Sequence, residues 1–153
     1  MVKQSGDGLS PAGRFVDGVL AQMVEVEFDQ VQVHEFWRGN LAGFDEGVLA
    51  QLPGAFQRLR EKYSPEFSAS IFNDFGVFIW QFPLGVRSLN LEIAIAANQR
   101  ALEVYTREAF PEDWAMTQNN LANAYCDRFR GERGENIEEA IAAYQLALEV
   151  RTR

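Results

Sequence analysis

One cysteine, one histidine and five prolines are all that the 153 residues hold of these types. A lone cysteine rules out an internal disulfide, and no Cys/His spacing suits a structural zinc ion, so neither a metal nor another cofactor is expected. Cysteine usage of this kind fits a reducing, cytoplasmic setting. No apolar run approaches the ~18–20 residues that a membrane-spanning helix needs. The first stretch, Met1 to Ser10, is polar and glycine-containing, unlike a signal peptide or anchor, and residues 1–9 are expected to be flexible. Basic surface is scarce as well. The formal charge is −8, and acids exceed bases on both sides of residue 63 (nine against six, then thirteen against eight). Without a cationic face, nucleic acid and anionic membrane are excluded as expected partners. No alternating strand pattern stands out, and no glycine-rich phosphate loop is present: Gly39, Gly43 and Gly47 are scattered, while Gly131 and Gly134 follow a helix.

What the chain does have is apolar mass. Hydrophobic residues make up 47%, with twelve Phe, four Tyr and three Trp, enough for one domain with a filled core. The chain also repeats itself. Asn90–Arg107 (NLEIAIAANQRALEVYTR) lies over Asn136–Arg153 (NIEEAIAAYQLALEVRTR) at an offset of 46 residues, with 13 of 18 positions identical. The preceding stretches align more faintly: Asn73 over Asn119, Gly85 over Gly131, Arg87 over Arg133. The chain therefore divides into a degenerate unit at 64–107 and a clear unit at 108–153.

Each unit reads as two helices. In the clear unit, Pro111 suits a first helical position and Glu112 and Asp113 suit the positive end of the helix dipole. Trp114, Leu121, Ala122, Tyr125 and Phe129 then recur on one face. Gly131 and Gly134 are expected to end that helix and Asn136 to cap the next. Ala140, Ile141, Tyr144, Ala147, Leu148 and Val150 are expected to form the second helix's buried stripe, with the alanines permitting close approach.

The pattern Gln118-x-x-Leu121-Ala122-x-x-Tyr125 followed by Ala140-x-x-x-Tyr144-x-x-Ala147 resembles the tetratricopeptide repeat. Gln118 stands at the signature's first large position, no proline closes the unit at Thr152, and the 46-residue period exceeds the usual ~34. Long variants with a run like Thr117–Tyr125 (TQNNLANAY) resemble repeats of cyanobacterial-type proteins that often precede a caspase-like CHAT peptidase domain, and also kinesin light chain repeats. In the degenerate unit, Phe72, Phe75, Gly76, Ile79, Ala94 and Ala101 fit the same pattern, and Asn98 replaces an aromatic. The resemblance implies an all-α, α-α superhelical fold whose first helices line a concave, peptide-holding groove.

Residues 10–63 carry no repeat signature but read as helices: Ser10-Pro11 leading into Phe15, Val19, Met23 and Val26; a short one over Val31–Arg38 bearing Val33, Phe36 and Trp37; and one from Asp45 to Lys62 with Val48, Leu49, Leu52, Phe56 and Leu59, which Pro53 should kink or split. A repeat stack must cover its first apolar face, so this segment is expected to be an N-terminal helical cap, with a separate partner-binding module as the rival.

Catalytic readings find little support. His34 and Cys126 lack the strand ends on which a caspase-like dyad sits, and Glu138/Glu139 and Glu112/Asp113 suit helix first turns. Arg128, Arg130 and Arg133 either complement a helix C-terminus or contact an anion or acidic peptide. The candidate binding residues are Met116, Asn119, Asn120, Asn123 and Asp127, which share the face opposite Leu121. There an asparagine offers both donor and acceptor to an extended peptide, or else bonds to the neighbouring repeat. Ile141 and Leu148 leave an apolar edge that a further repeat or a second copy (a homo-dimer) is expected to cover. The sequence thus predicts a non-catalytic module that binds a protein or extended peptide, as the N-terminal part of a longer array. The alternative is a spacer or self-association module that positions an effector such as a CHAT peptidase.

Overall fold

The computed structural model describes residues 8–151, so the stretch expected to be flexible, 1–9, lies outside the described residues apart from Gly8 and Leu9. Among the described residues there are seven α-helices and no strand: α1 (Pro11–Glu25), α2 (Gln30–Arg38), α3 (Gly47–Lys62), α4 (Pro65–Gln81), α5 (Arg87–Ala101), α6 (Pro111–Asp127) and α7 (Arg133–Arg151). Helix starts follow local chemistry. Ser10 and Ser64 each precede a proline at the first helical position, and their hydroxyls accept from the amides of Gly13 (3.0 Å) and Phe67 (3.1 Å). Asp29 caps α2 in the same way, through the Gln32 amide at 3.0 Å.

The three leading helices pack onto the first unit and share its core. Val16, Val19, Leu20 and Met23 of α1 and Val48, Leu52, Ala55 and Phe56 of α3 are all buried. Trp37 of α2 is fully enclosed, its ring 5.2–5.7 Å from those of Phe44, Phe75 and Phe82, so an aromatic cluster joins α2 to α4. Phe56 meets Phe72 at 4.9 Å, and Arg58 holds Asp17 through two bonds of 2.7 and 2.9 Å. This core continues through α4 and α5 to Leu121 and Ala124 of α6. α7 joins through a smaller cluster of Ala122, Ala140 and Ala143, where missing side-chain bulk lets two backbones approach.

The 46-residue repeat is visible in bonds as well as letters. Gly85 and Gly131 both adopt positive φ (+82° and +80°) in the turn between the helices of their unit. Asn90 Nδ2 donates to the Leu84 carbonyl (2.9 Å), and Asn136 Nδ2 to that of Arg130 (2.8 Å). Arg87 donates to the Trp80 carbonyl and Arg133 to that of Cys126. In these four bonds every donor and acceptor of one unit lies 46 positions from its counterpart. Each arginine satisfies a carbonyl left open at a helix end, and each asparagine ties the turn to the helix it precedes.

Several expectations need correction. α6 ends at Asp127, before either glycine, and Gly134 lies inside α7. Asn136 is not an N-cap: α7 begins at Arg133, with the Glu132 carboxylate accepting from the amides of Gly134 and Glu135 (3.1 and 3.0 Å). The asparagine's amide is needed to clamp the turn, so the longer glutamate takes the capping role. Phe129 falls beyond the helix end and is 68% exposed. Trp114 is half-buried beneath Arg107, and Ile141 and Leu148 are exposed where a buried stripe was expected. Pro53 does not split α3, because Val48, Leu52, Ala55 and Phe56 bury one face on both sides of it while the proline itself is exposed.

An alanine at Gly131 must hold a left-handed backbone although its Cβ meets nothing nearer than 3.5 Å. Gly131→Ala and Gly85→Ala should therefore each cost about 1–2 kcal/mol in urea unfolding, from backbone conformation alone. Equal losses in the two units are expected if the turns are copies; a neutral result at either would show that its turn does not depend on positive φ.

Candidate functional site

α6 is amphipathic in an unusual sense: apolar side chains occupy one half, and the other carries asparagines. Ala115, Leu121, Ala122 and Ala124 are buried, as are Thr117 and Gln118. Met116, Asn119, Asn120, Asn123 and Asp127 lie along the remaining half, all exposed or half-buried. The structure thus brings these five sequence-predicted residues into one strip.

Both edges of the strip are bonded to neighbouring helices. Asn120 Nδ2 donates to Asn73 Oδ1 of α4 at 3.1 Å, and the same oxygen accepts from Thr117 Oγ1 at 3.0 Å. The single Thr117 hydroxyl proton is shared between that oxygen and the Asp113 carbonyl one turn back, 2.8 Å away. Asn123 Oδ1 accepts from the Tyr144 hydroxyl of α7. Asp127 accepts from Trp80 Nε1 (2.8 Å) and lies 3.7 Å from Arg87. Asn120, Asn123 and Asp127 therefore hold helices together. Their opposite ends point elsewhere: Asn120 Oδ1 and Asn123 Nδ2 take part in no hydrogen bond among the described residues, so an acceptor and a donor three residues apart remain on the strip. Met116 is 40% exposed and Asn119 is half-buried.

Beside this strip lies a carboxyl group in an uncomfortable place. Burial raises the pKa of Asp74 from 3.8 to about 6, against a smaller lowering by its hydrogen bond with Asn73. Tyr105 is pushed up to about 12, first by burial and then by the charges of Asp113, Asp74 and Glu66.

The arginines take separate paths. Arg128 grips Glu92 of α5 through two bonds (2.7 and 3.0 Å), donates to Asn136 Oδ1 (3.1 Å), and lies 5.7 Å from the Tyr125 ring centre. The Glu92 hydrogen bond, more than any other influence, raises its pKa. Arg130 pairs with Glu46 ahead of α3, which lowers the Glu46 pKa. Arg128 and Arg133 meet around an open depression of about 630 Å³ that Arg87, Cys126, Asp127 and Phe129 complete. Arg87 went unnoticed as a site residue, although its place 46 residues before Arg133 marks it.

His34 and Cys126 have unrelated surroundings. The His34 Nε2 lies 2.9 Å from the Phe78 carbonyl, among the rings of Trp37, Phe78 and Phe82, while Cys126 Sγ lies 3.9 Å from the Tyr144 hydroxyl. Among the described residues, no group of three or more His, Cys, Asp or Glu side chains is placed to hold a metal ion, and no helix is long and apolar enough to cross a membrane. No family model, curated protein or solved structure matches this chain.

Two outcomes follow for the α4–α6 junction. Asn73→Ala strips a shared acceptor from Thr117 and Asn120 inside the protein and should cost about 1–3 kcal/mol in denaturant unfolding; a loss below half of that would show the junction to be held by packing alone. For Asp74, a raised folded-state pKa favours the protonated folded form. Its contribution is full below pH 3.8 and is lost as pH rises through about 6. Asp74→Asn should accordingly raise the melting temperature at pH 7 relative to wild type, with the gain vanishing toward pH 4; a gain independent of pH contradicts the assignment.

Proposed function

We propose that this chain is a non-catalytic helical repeat module that holds a protein or extended peptide along the polar strip of α6. The observation that carries the reading is the pair of leftover hydrogen-bonding atoms, Asn120 Oδ1 and Asn123 Nδ2, fixed by bonds at their other ends and flanked by Met116 and Asn119. An amide anchored at one end pays little entropy to engage a ligand at the other. An acceptor and a donor on one face suit a peptide main chain regardless of its side chains. The two like-clamped hairpins support a tetratricopeptide-like stack in a right-handed superhelix, with α1–α3 as its cap and α4 and α6 on the concave side. The depression around Arg87, Arg128 and Arg133 would favour acidic groups at the end of the same strip.

A second reading has its own support. Asn120, Asn123 and Asp127 already spend bonds within the chain, as they would in a spacer that positions an effector domain such as a CHAT peptidase.

A peptide-display library panned against the wild type separates the two. Met116→Ala and Asn119→Ala should stay within about 0.5 kcal/mol of wild-type stability, because Met116 is exposed and Asn119 only half-buried. The double variant is expected to lose the enriched peptides. Absence of enrichment, or peptides that bind wild type and variant alike, would favour the spacer.

A further inference from the structure

The repeat allows one surface of α7 to be read from its counterpart in α5. On α5, Leu91 and Ile95 are buried one turn apart, and α6 packs against that helix. Two polar contacts mark where α6 lies: Arg128 on Glu92, and Tyr125, whose hydroxyl accepts from Gln99 Nε2 at 3.3 Å. Adding 46 to each number gives Ile137, Glu138, Ile141 and Gln145 on α7. All four positions keep the residue or its nearest apolar equivalent: Leu91/Ile137, Glu92/Glu138, Ile95/Ile141 and Gln99/Gln145. Their surroundings differ sharply. Ile95 is 5% exposed and Ile141 is 49% exposed, while Glu138 and Gln145 are open to solvent. Apolar side chains three to four residues apart on an open helix face are ordinarily a seam for another helix. Here the flanking Glu and Gln are the same pair that α6 already recognises one unit earlier.

We infer that the Ile137–Glu138–Ile141–Gln145 face of α7 is a docking site for a partner helix of the α6 type, carrying a Tyr and an Arg three residues apart beside a small-residue apolar stripe. The arginine would meet the Glu138 carboxylate as Arg128 meets Glu92, and the tyrosine would meet Gln145 as Tyr125 meets Gln99. The charge pair orients the helix, and the isoleucines supply the apolar area. This site is distinct from the α6 strip and does not depend on what that strip holds.

The test uses the whole chain, isotope-labelled, and a synthetic peptide of residues 110–130 with Cys126 replaced by serine. Amide shifts should concentrate at Ile137, Glu138, Ile141 and Gln145. Glu138→Arg should weaken the peptide by about tenfold, and a peptide with Arg128→Glu should recover most of that loss on the variant. Ile141→Asp, at an exposed position that tolerates the change in folding, should abolish binding. The inference is overturned if no shift appears on α7 at peptide concentrations up to ~1 mM, or if Glu138→Arg binds both peptides as wild type does. It is equally overturned, in favour of a second copy as occupant, if the protein sediments as a dimer that Ile141→Asp dissociates and the peptide fails to compete.

Discussion

The turn between paired helices is the constraint on which the rest of this molecule depends. A chain that leaves one helix and re-enters another within five or six residues must reverse direction, and here a glycine at positive φ makes the reversal. The turn then needs its open carbonyls satisfied. The asparagine early in the second helix and the arginine at its start do so in both units, each bonding back across the turn. With entry and exit angles set, the helices can approach closely where alanines face each other, as Ala122, Ala140 and Ala143 do. Polar side chains thus fix the geometry, and apolar ones fill what the geometry leaves.

α6 sits at the centre of this construction. It is bonded to α4 through Asn120, Thr117 and Asp127, to α5 through Tyr125 and, one residue past its end, Arg128, and to α7 through Asn123. A helix tied on three sides has little freedom, so the hydrogen-bonding groups on its remaining surface are held in fixed positions. The same ties explain why its asparagines read ambiguously. Each amide has two ends, and one end of Asn120 and of Asn123 works for the fold.

Much of the fold was legible because helix punctuation is local. Ser10-Pro11 announced α1 directly, and the copy at 136–153 exposed the two-hairpin plan. Misreadings arose where tertiary demands overrode local ones. Asn136 looked like a cap because asparagine is a good one, yet the turn's stranded carbonyl claimed its amide and left Glu132 to cap α7. Phe129 followed the apolar period of α6, but the helix stops before reaching it. Of the polar strip on α6, membership was readable from helical periodicity alone. The partners Asn73, Trp80 and Tyr144 were not, since they lie 47, 47 and 21 residues from the groups they bond. The repeat offset itself carried the pairing information that helical period lacks: it relates Arg87 to Arg133 and Ile95 to Ile141 without reference to any fold.

Residual dipolar couplings of the backbone amides test the central claim that α4–α5 and α6–α7 are one hairpin built twice. The account predicts that a single interhelix geometry, with a left-handed glycine at each turn, fits the couplings of residues 65–101 and of residues 111–147. Couplings that demand different crossing angles for the two pairs, or a negative φ at Gly85 or Gly131, would contradict it.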